Sequence, residues 1–175
     1  MKRAQIAIVM GSYSDLKEMS EAAQILDEFT IGNEVIALSA HRTPKEIVDF
    51  AKNAKKRGIK VIIAGAGGSA ALPGVIAAYT TLPVIGVPIK SKPLEGLDSL
   101  LSIVQMPSGV PVATVGINSA KNAAILAAEI IAVEDSEISE KLANYKKRQS
   151  KKVFEKNIKL TKIGWRKYLK DFKRQ

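Results

Sequence analysis

Cysteine is absent from the 175 residues, and histidine and tryptophan each occur once. Without cysteine there are no disulfides, no thiolate metal sites and no cysteine nucleophile. One histidine excludes a multi-histidine metal site within one chain. Met1-Lys2-Arg3 is followed by only about five apolar residues, too few for a secretory leader. No apolar run approaches the ~18 residues of a membrane span. These shortages lead us to expect a soluble cytoplasmic protein with no membrane partner. The length suits one domain with a substantial core and room for an appendage.

The net charge of +10 is not spread along the chain. Residues 1–140 carry 13 Lys+Arg against 15 Asp+Glu, whereas residues 141–175 carry 14 against 2. A near-neutral body with a basic tail argues against a nucleic-acid groove across the main domain. It leaves an electrostatic role open for the tail.

The body alternates apolar runs with helically spaced segments. Gln5–Met10, Val35–Leu38, Val61–Ala64, Val84–Val87 and Pro111–Val115 read as buried strands. Between them Leu16, Met19, Ala23 and Leu26 share one helical face, as do Ile47, Phe50, Ala51 and Ala54. Short helices are expected over 75–79 and 97–105. Residues 120–133 form an almost wholly apolar helix that must be buried on more than one side. Five strands with intervening helices predict a doubly wound α/β fold with a parallel sheet. We expect a domain over residues 1–135 and a basic helical extension over 136–175. In the extension Val153, Phe154, Ile158, Leu160, Ile163, Trp165, Tyr168, Leu169 and Phe172 are too many large apolar groups for pure disorder. An amphipathic helix docking on a neighbouring subunit and a loosely ordered basic tail both fit.

Chemistry in such folds gathers outside the carboxyl ends of the strands, and three segments qualify. Ser39-Ala40-His41-Arg42-Thr43-Pro44 holds the only imidazole, a proton carrier suited to neutral pH, beside a permanent cation suited to phosphate. A lone histidine bonded to a backbone carbonyl is the competing reading. Gly11-Ser12-Tyr13-Ser14-Asp15 joins a strand to a helix N-terminus, where free N–H groups receive phosphate; a simple capped turn reads equally well. Gly65-x-Gly67-x-x-Ala70 has the spacing of a dinucleotide fingerprint but lacks the acidic residue expected about twenty positions later. Its glycines allow close approach either of a ligand or of a packed helix. No G-x-S-x-G elbow is present.

Four stretches together carry a resemblance. They are Gly-Ser-x-Ser-Asp at 11–15, Ser-Ala-His-Arg-Thr-Pro at 39–44, Ala-Gly-Ala-Gly-Gly at 64–68 with Leu-Pro-Gly at 72–74, and Asp-Ser-Leu-Leu-Ser-Ile-Val-Gln-Met-Pro-x-Gly-x-Pro-Val at 98–112. In order and spacing they resemble the bacterial and archaeal aminoimidazole ribonucleotide carboxylase family, over residues 5–135. The resemblance implies a flavodoxin-like three-layer αβα sandwich and a homo-octamer with active sites between subunits. It implies conversion of N5-carboxyaminoimidazole ribonucleotide to 4-carboxyaminoimidazole ribonucleotide in purine (IMP) biosynthesis, with no metal or organic cofactor.

By the family pattern Ser12 and Asp15 bind the ribose phosphate part of the substrate, Arg42 binds its phosphate, and His41 carries the proton. The 65–74 loop encloses the carboxyl group being moved. Ser14, Ser39 and Ala40, with Gly65, Gly67, Gly68, Ser69 and Leu72, complete the expected substrate contacts. One position departs from the pattern. The branch that moves the carboxyl group usually carries histidine two residues before the proline of Leu-Pro-Gly, where this chain has Ala71. The sister branch carboxylates aminoimidazole ribonucleotide directly with CO2, but usually has lysine where this chain has Arg42.

Overall fold

The computed structural model describes residues 3–172, with side chains described through Lys170. Met1 and Lys2, and the side chain of Phe172 expected on the apolar face of the tail, lie outside the described residues. The elements in chain order are β1 (Ile6–Met10), α1 (Leu16–Glu28), β2 (Asn33–Ala37), α2 (Pro44–Ala54), β3 (Val61–Gly67), α3 (Leu72–Tyr79) and β4 (Val84–Ile89). They continue with α4 (Leu97–Val104), β5 (Ala113–Thr114), α5 (Ala120–Ala132), α6 (Ser136–Ile163) and α7 (Trp165–Phe172). The five strands pair in parallel in the order β2-β1-β3-β4-β5, the flavodoxin-like order whose switch point lies between β1 and β3.

Alternation along β1 and β3 builds three layers. Ile6, Ile8, Met10 and Ile63 face one way, into a cluster with Met19, Ala22 and Leu26 of α1 and Ala123, Ala124 and Ala127 of α5. Ala7, Val9, Ile62 and Ala64 face the other way, against Ile47 and Ala51 of α2, Ile76 of α3 and Ile103 of α4. A strand buried on both faces has no polar side to show, so it reads as a continuous apolar run.

Several elements differ from expectation for identifiable reasons. β2 is an edge strand and not fully buried, with Val35 42% exposed. The inward stripe of α1 is Met19, Ala22, Ile25 and Leu26, and Leu16 lies outside it, because α5 as well as the sheet covers this helix. β4 runs on through Pro88 to Ile89. The Pro88 carbonyl accepts from the Asn118 N–H at 2.8 Å, so its donor-less nitrogen turns to the same side, past the end of two-residue β5, where no ladder bond is lost. α3 begins at Leu72, with Pro73 in its first turn.

α6 is one continuous helix with two different surroundings. Its first turns belong to the core. Ile138 and Leu142 are buried in the α1–α5 cluster, and Tyr145 meets Phe29 edge-on at a centroid distance of 5.5 Å. Lys141 donates from Nζ to the Phe29 carbonyl at 3.1 Å and to Thr30 Oγ1 at 2.6 Å. The ion pairs Lys146–Glu129 and Arg148–Glu28 are exposed and contribute at most about 1 kcal/mol each, so the apolar contacts dominate the docking. Beyond Arg148 the helix and α7 carry Val153, Phe154, Ile158, Trp165 and Leu169 in exposed positions. Among the described residues no helix is long and apolar enough to cross a membrane.

Candidate active site

The carboxyl ends of β1, β2 and β3 deliver three loops to one place. They wall a cleft of ≈ 470 Å³ lined by Gly11, Ser12, Ser14, Asp15, Ser39, Ala40, His41, Arg42, Ala66, Gly67, Ala70, Ala71 and Leu72. The cleft sits at the β1/β3 switch point, the position where open parallel sheets bind ligands.

The first loop is a self-bonded turn. Ser12 Oγ accepts from the Ser14 N–H at 3.3 Å, the Asp15 N–H donates to the Ser12 carbonyl at 3.1 Å, and Ser14 Oγ donates to Asp15 Oδ1 at 3.0 Å. The capped turn and the cleft lining are therefore one structure. Asp15 precedes α1 but makes no side-chain cap bond, so its carboxyl stays on the cleft side, beside the Ser12 backbone. Burial raises the Asp15 carboxyl above its ordinary value, the Ser14 bond opposes the rise, and nearby Glu18 adds to it.

The second loop is held by Thr43. Its Oγ1 accepts from the Ser39 N–H at 2.9 Å and donates back to the Ser39 carbonyl at 3.1 Å. Pro44 then starts α2. Arg42 crosses to the first loop, with Nε donating to Ser39 Oγ at 3.3 Å and Nη2 to the Gly11 carbonyl at 3.4 Å. These are long bonds that leave most of its five N–H donors for an anion. His41 is exposed on the cleft wall, and no carbonyl or carboxylate among the described residues holds its ring.

The third loop divides the expected glycines. Gly67 lines the cleft, but Gly65, Gly68 and Ser69 do not. Gly65 is buried against α1, where an added Cβ would stand 2.3 Å from Met19 Sδ, so close helix packing, not ligand approach, requires glycine there. Its carbonyl accepts from the Gly11 N–H at 3.0 Å, tying the first loop to β3. Gly68 has φ +64° and donates its N–H to Ser99 Oγ at 2.9 Å. Leu72 closes the cleft floor. Gly11, Ala66, Ala70 and Ala71, which entered the motifs only as small residues with no chemical signature of their own, line it as well.

A second hollow adjoins the first, sharing Ser14 and Asp15 and reaching Lys90, Ser91 and Lys92 after β4. Ser91 Oγ lies 2.6 and 2.8 Å from the two oxygens of Asp98, and that bond holds the Asp98 carboxyl below its ordinary value. No group of three or more carboxylate, imidazole or thiol side chains among the described residues is arranged to hold a metal ion.

A doubly wound parallel sheet, with a cleft at its switch point that presents an arginine, three serines, a carboxylate and an unpartnered imidazole, defines a class of enzymes acting on small anionic ligands. The comparison with known proteins narrows that class. The sequence profile of the AIR carboxylase family matches residues 5–152, and the chain belongs to that family. It is 60% identical over 166 residues to N5-carboxyaminoimidazole ribonucleotide mutase of Pyrococcus horikoshii, covering 95% of this chain and 94% of the relative. It is 58% identical over 165 residues to the protein of the same name from Thermotoga maritima, covering 94% and 96%. The crystal structure of Treponema denticola PurE superposes with a TM-score of 0.82 at 33% identity, over 89% of this chain and 97% of that one.

Proposed function

We propose that the protein converts N5-carboxyaminoimidazole ribonucleotide to 4-carboxyaminoimidazole ribonucleotide, an intramolecular carboxyl transfer in purine biosynthesis. The observation that carries this reading is the lone imidazole, free of structural partners among the described residues, beside the Arg42 cation in a cleft whose neighbouring loop presents hydroxyl and carboxylate groups.

The chemistry follows from the arrangement. Arg42 holds the phosphate, and Ser12 and Asp15 hold the ribose part, with Ser14, Ser39 and Ala40 beside them. The aminoimidazole then lies between His41 and the Gly67–Leu72 wall. Protonated His41 gives its proton to N5. The N5–carboxyl bond breaks, its electron pair stays on nitrogen, and CO2 is released into the cleft. C4, made nucleophilic by the amino group, attacks that CO2. The C4 proton returns to His41, which restores both the aromatic ring and the starting imidazolium. Such general acid–base help is worth about 10²–10⁴-fold. The apolar wall of Ala66, Ala70, Ala71 and Leu72 suits CO2, which neither accepts nor needs strong hydrogen bonds. Keeping it there preserves proximity.

Ala71 favours a second reading. It lines the cleft where the carboxyl-moving branch of the family usually has a second imidazole, and direct carboxylation of aminoimidazole ribonucleotide by CO2 uses the same pocket. One assay separates the two. Purified protein given N5-carboxyaminoimidazole ribonucleotide without ATP is expected to form product. Product only from aminoimidazole ribonucleotide plus CO2 or bicarbonate would assign the direct carboxylation.

We further propose assembly of eight copies with the cleft at subunit boundaries. Leu97, Leu101 and Val104 of α4, at i, i+4 and i+7, are 51%, 47% and 50% exposed. With the apolar groups of the tail, they leave surface that neighbouring copies would cover. A phosphorylated nucleotide substrate would place the enzyme in the cytoplasm.

A further inference from the structure

The stretch 98–112 is as distinctive as the three cleft loops, yet the proposed reaction uses none of its side chains. Its one buried polar residue is Ser99, fully inaccessible and the only buried polar side chain among the described residues. Burying a hydroxyl is unfavourable unless both its donor and acceptor are used, and here both are. Ser99 Oγ donates to the Ile89 carbonyl at the end of β4, at 2.8 Å, and accepts from the Gly68 N–H at 2.9 Å.

That acceptor bond reaches the third cleft loop at its least constrained point. Gly68 lies in left-handed backbone at φ +64°, and Ala70 is also at positive φ, +25°. An added Cβ at Gly68 would meet nothing within 4 Å, so packing does not hold the turn at Gly68 itself; its other end is seated by Ala70, 3% exposed in the core cluster that also holds Leu72 and Ile103. Inside the turn only the Ala70 N–H bond to the Gly67 carbonyl, at 3.3 Å, closes the chain. Between Gly67, paired with Ile89 in the sheet, and buried Ala70, the Gly68 segment of the wall is therefore held by an anchor from outside. α4 provides it, and the same helix is secured beside it by the Asp98–Ser91 bonds. Met106, just past α4 in the same stretch, packs on Gly74 of α3, where a Cβ would stand 3.1 Å from its Sδ and Cε.

We propose that Ser99 is a positioning residue: through the Gly68 N–H it fixes the wall that retains CO2 between its release from N5 and its capture by C4. This rests on the carboxyl-transfer reading. Loss of the anchor leaves the phosphate side of the cleft untouched, because Arg42, Ser12 and Asp15 take their bonds from the other two loops. The fault is leakage. CO2 departs, the amino nitrogen keeps the proton it received, and aminoimidazole ribonucleotide is left as a dead-end product.

The test compares wild type with Ser99→Ala, with Ser99→Thr, which restores the hydroxyl, and with Ile131→Val, a truncation in the core on the opposite face of the sheet. Amide hydrogen exchange is read first. Ser99→Ala should speed exchange at residues 68–71 by at least about tenfold while leaving α2 unchanged. Unchanged exchange there overturns the anchoring role, whatever the enzyme's reaction. Turnover of N5-carboxyaminoimidazole ribonucleotide is read second, counting both products. Ser99→Ala should lower formation of the carboxylated product by about tenfold, the scale expected for a displaced wall, raise the share of aminoimidazole ribonucleotide, and leave KM within about twofold. Ser99→Thr should recover part of the partition. Ile131→Val should lower Tm without altering it. A partition unchanged in Ser99→Ala, or shifted equally by Ile131→Val, overturns the proposal. If wild type itself makes no product from this substrate, the reaction assignment falls, and the exchange measurement still decides whether Ser99 anchors the turn.

Discussion

At the scale of single residues, the site divides between groups that act on a ligand and groups that hold the first kind in place. In the proposed reaction His41 belongs to the first kind. It has no partner that a substitution would orphan, so His41→Asn should leave Tm nearly unchanged while lowering kcat by about 10²–10⁴-fold, measured as product formed from the N5-carboxylated nucleotide. Near-normal turnover would remove its assigned role. Asp15 shows the opposite balance of stability and function. Its carboxyl is raised mainly by burial, so the folded protein holds that proton more tightly than the unfolded chain. Its contribution to stability therefore falls as pH rises through and above the ordinary carboxylate range. Asp15→Asn should raise Tm at pH 7, the gain should vanish in acid where both forms are neutral, and substrate KM should rise. Thermal melts from pH 3 to 8 with parallel kinetics check all three. These residues were legible in the sequence because each is a chemically distinctive type at a strand-to-helix junction. Ser99 was not. Its partners lie 10 and 31 positions away, and a serine inside an apolar helix gives no sign of where its hydroxyl goes.

At the scale of elements, apolar runs and helical spacing located the strands and helices of the body, left the tail open between helix and loose order, and named no element's neighbours. Val35-Ile36-Ala37 is as apolar as the central strands, yet β2 lies at the sheet edge, because strand order is set by the crossovers and not by composition. The third loop teaches the same lesson. Its glycines have a ligand-binding spacing, but Gly65 is glycine because α1 places Met19 against it. Gly65→Ala forces that buried thioether aside and should cost about 1–3 kcal/mol, seen as a lower denaturant midpoint. Because the Gly65 carbonyl also receives the Gly11 N–H, the first cleft loop should shift with it. A midpoint equal to wild type would show that Met19 repacks without strain.

At the scale of the whole molecule, the charge division seen in the sequence becomes a division of surroundings. The body is near-neutral and closed. The basic segment starts inside the core at Ile138 and Leu142 and leaves it after Arg148, with Phe154 64% and Trp165 61% exposed. Spacing there fitted both a helix and a loosely ordered tail, and the structure has the helix; what covers its apolar groups was not readable, since a single chain's pattern does not name its partner. Ending the chain after Arg148 keeps the buried contacts of α6, so the shortened protein should fold. Its assembly should be smaller than that of the full chain by light scattering. Salt-sensitive nucleic-acid binding by the full chain, lost on shortening, would instead make the tail an arm for that ligand.

A chain with one histidine, exposed in its cleft, has a built-in spectroscopic reporter. In heavy water the imidazole Hε1 proton of His41 gives a single resonance downfield of the ring protons of the four Phe, four Tyr and one Trp. No assignment is needed to follow it. Addition of a phosphorylated ligand or a change of pH would each be read from that one signal, in the unlabelled protein, at the imidazole to which the proposed reaction gives the proton.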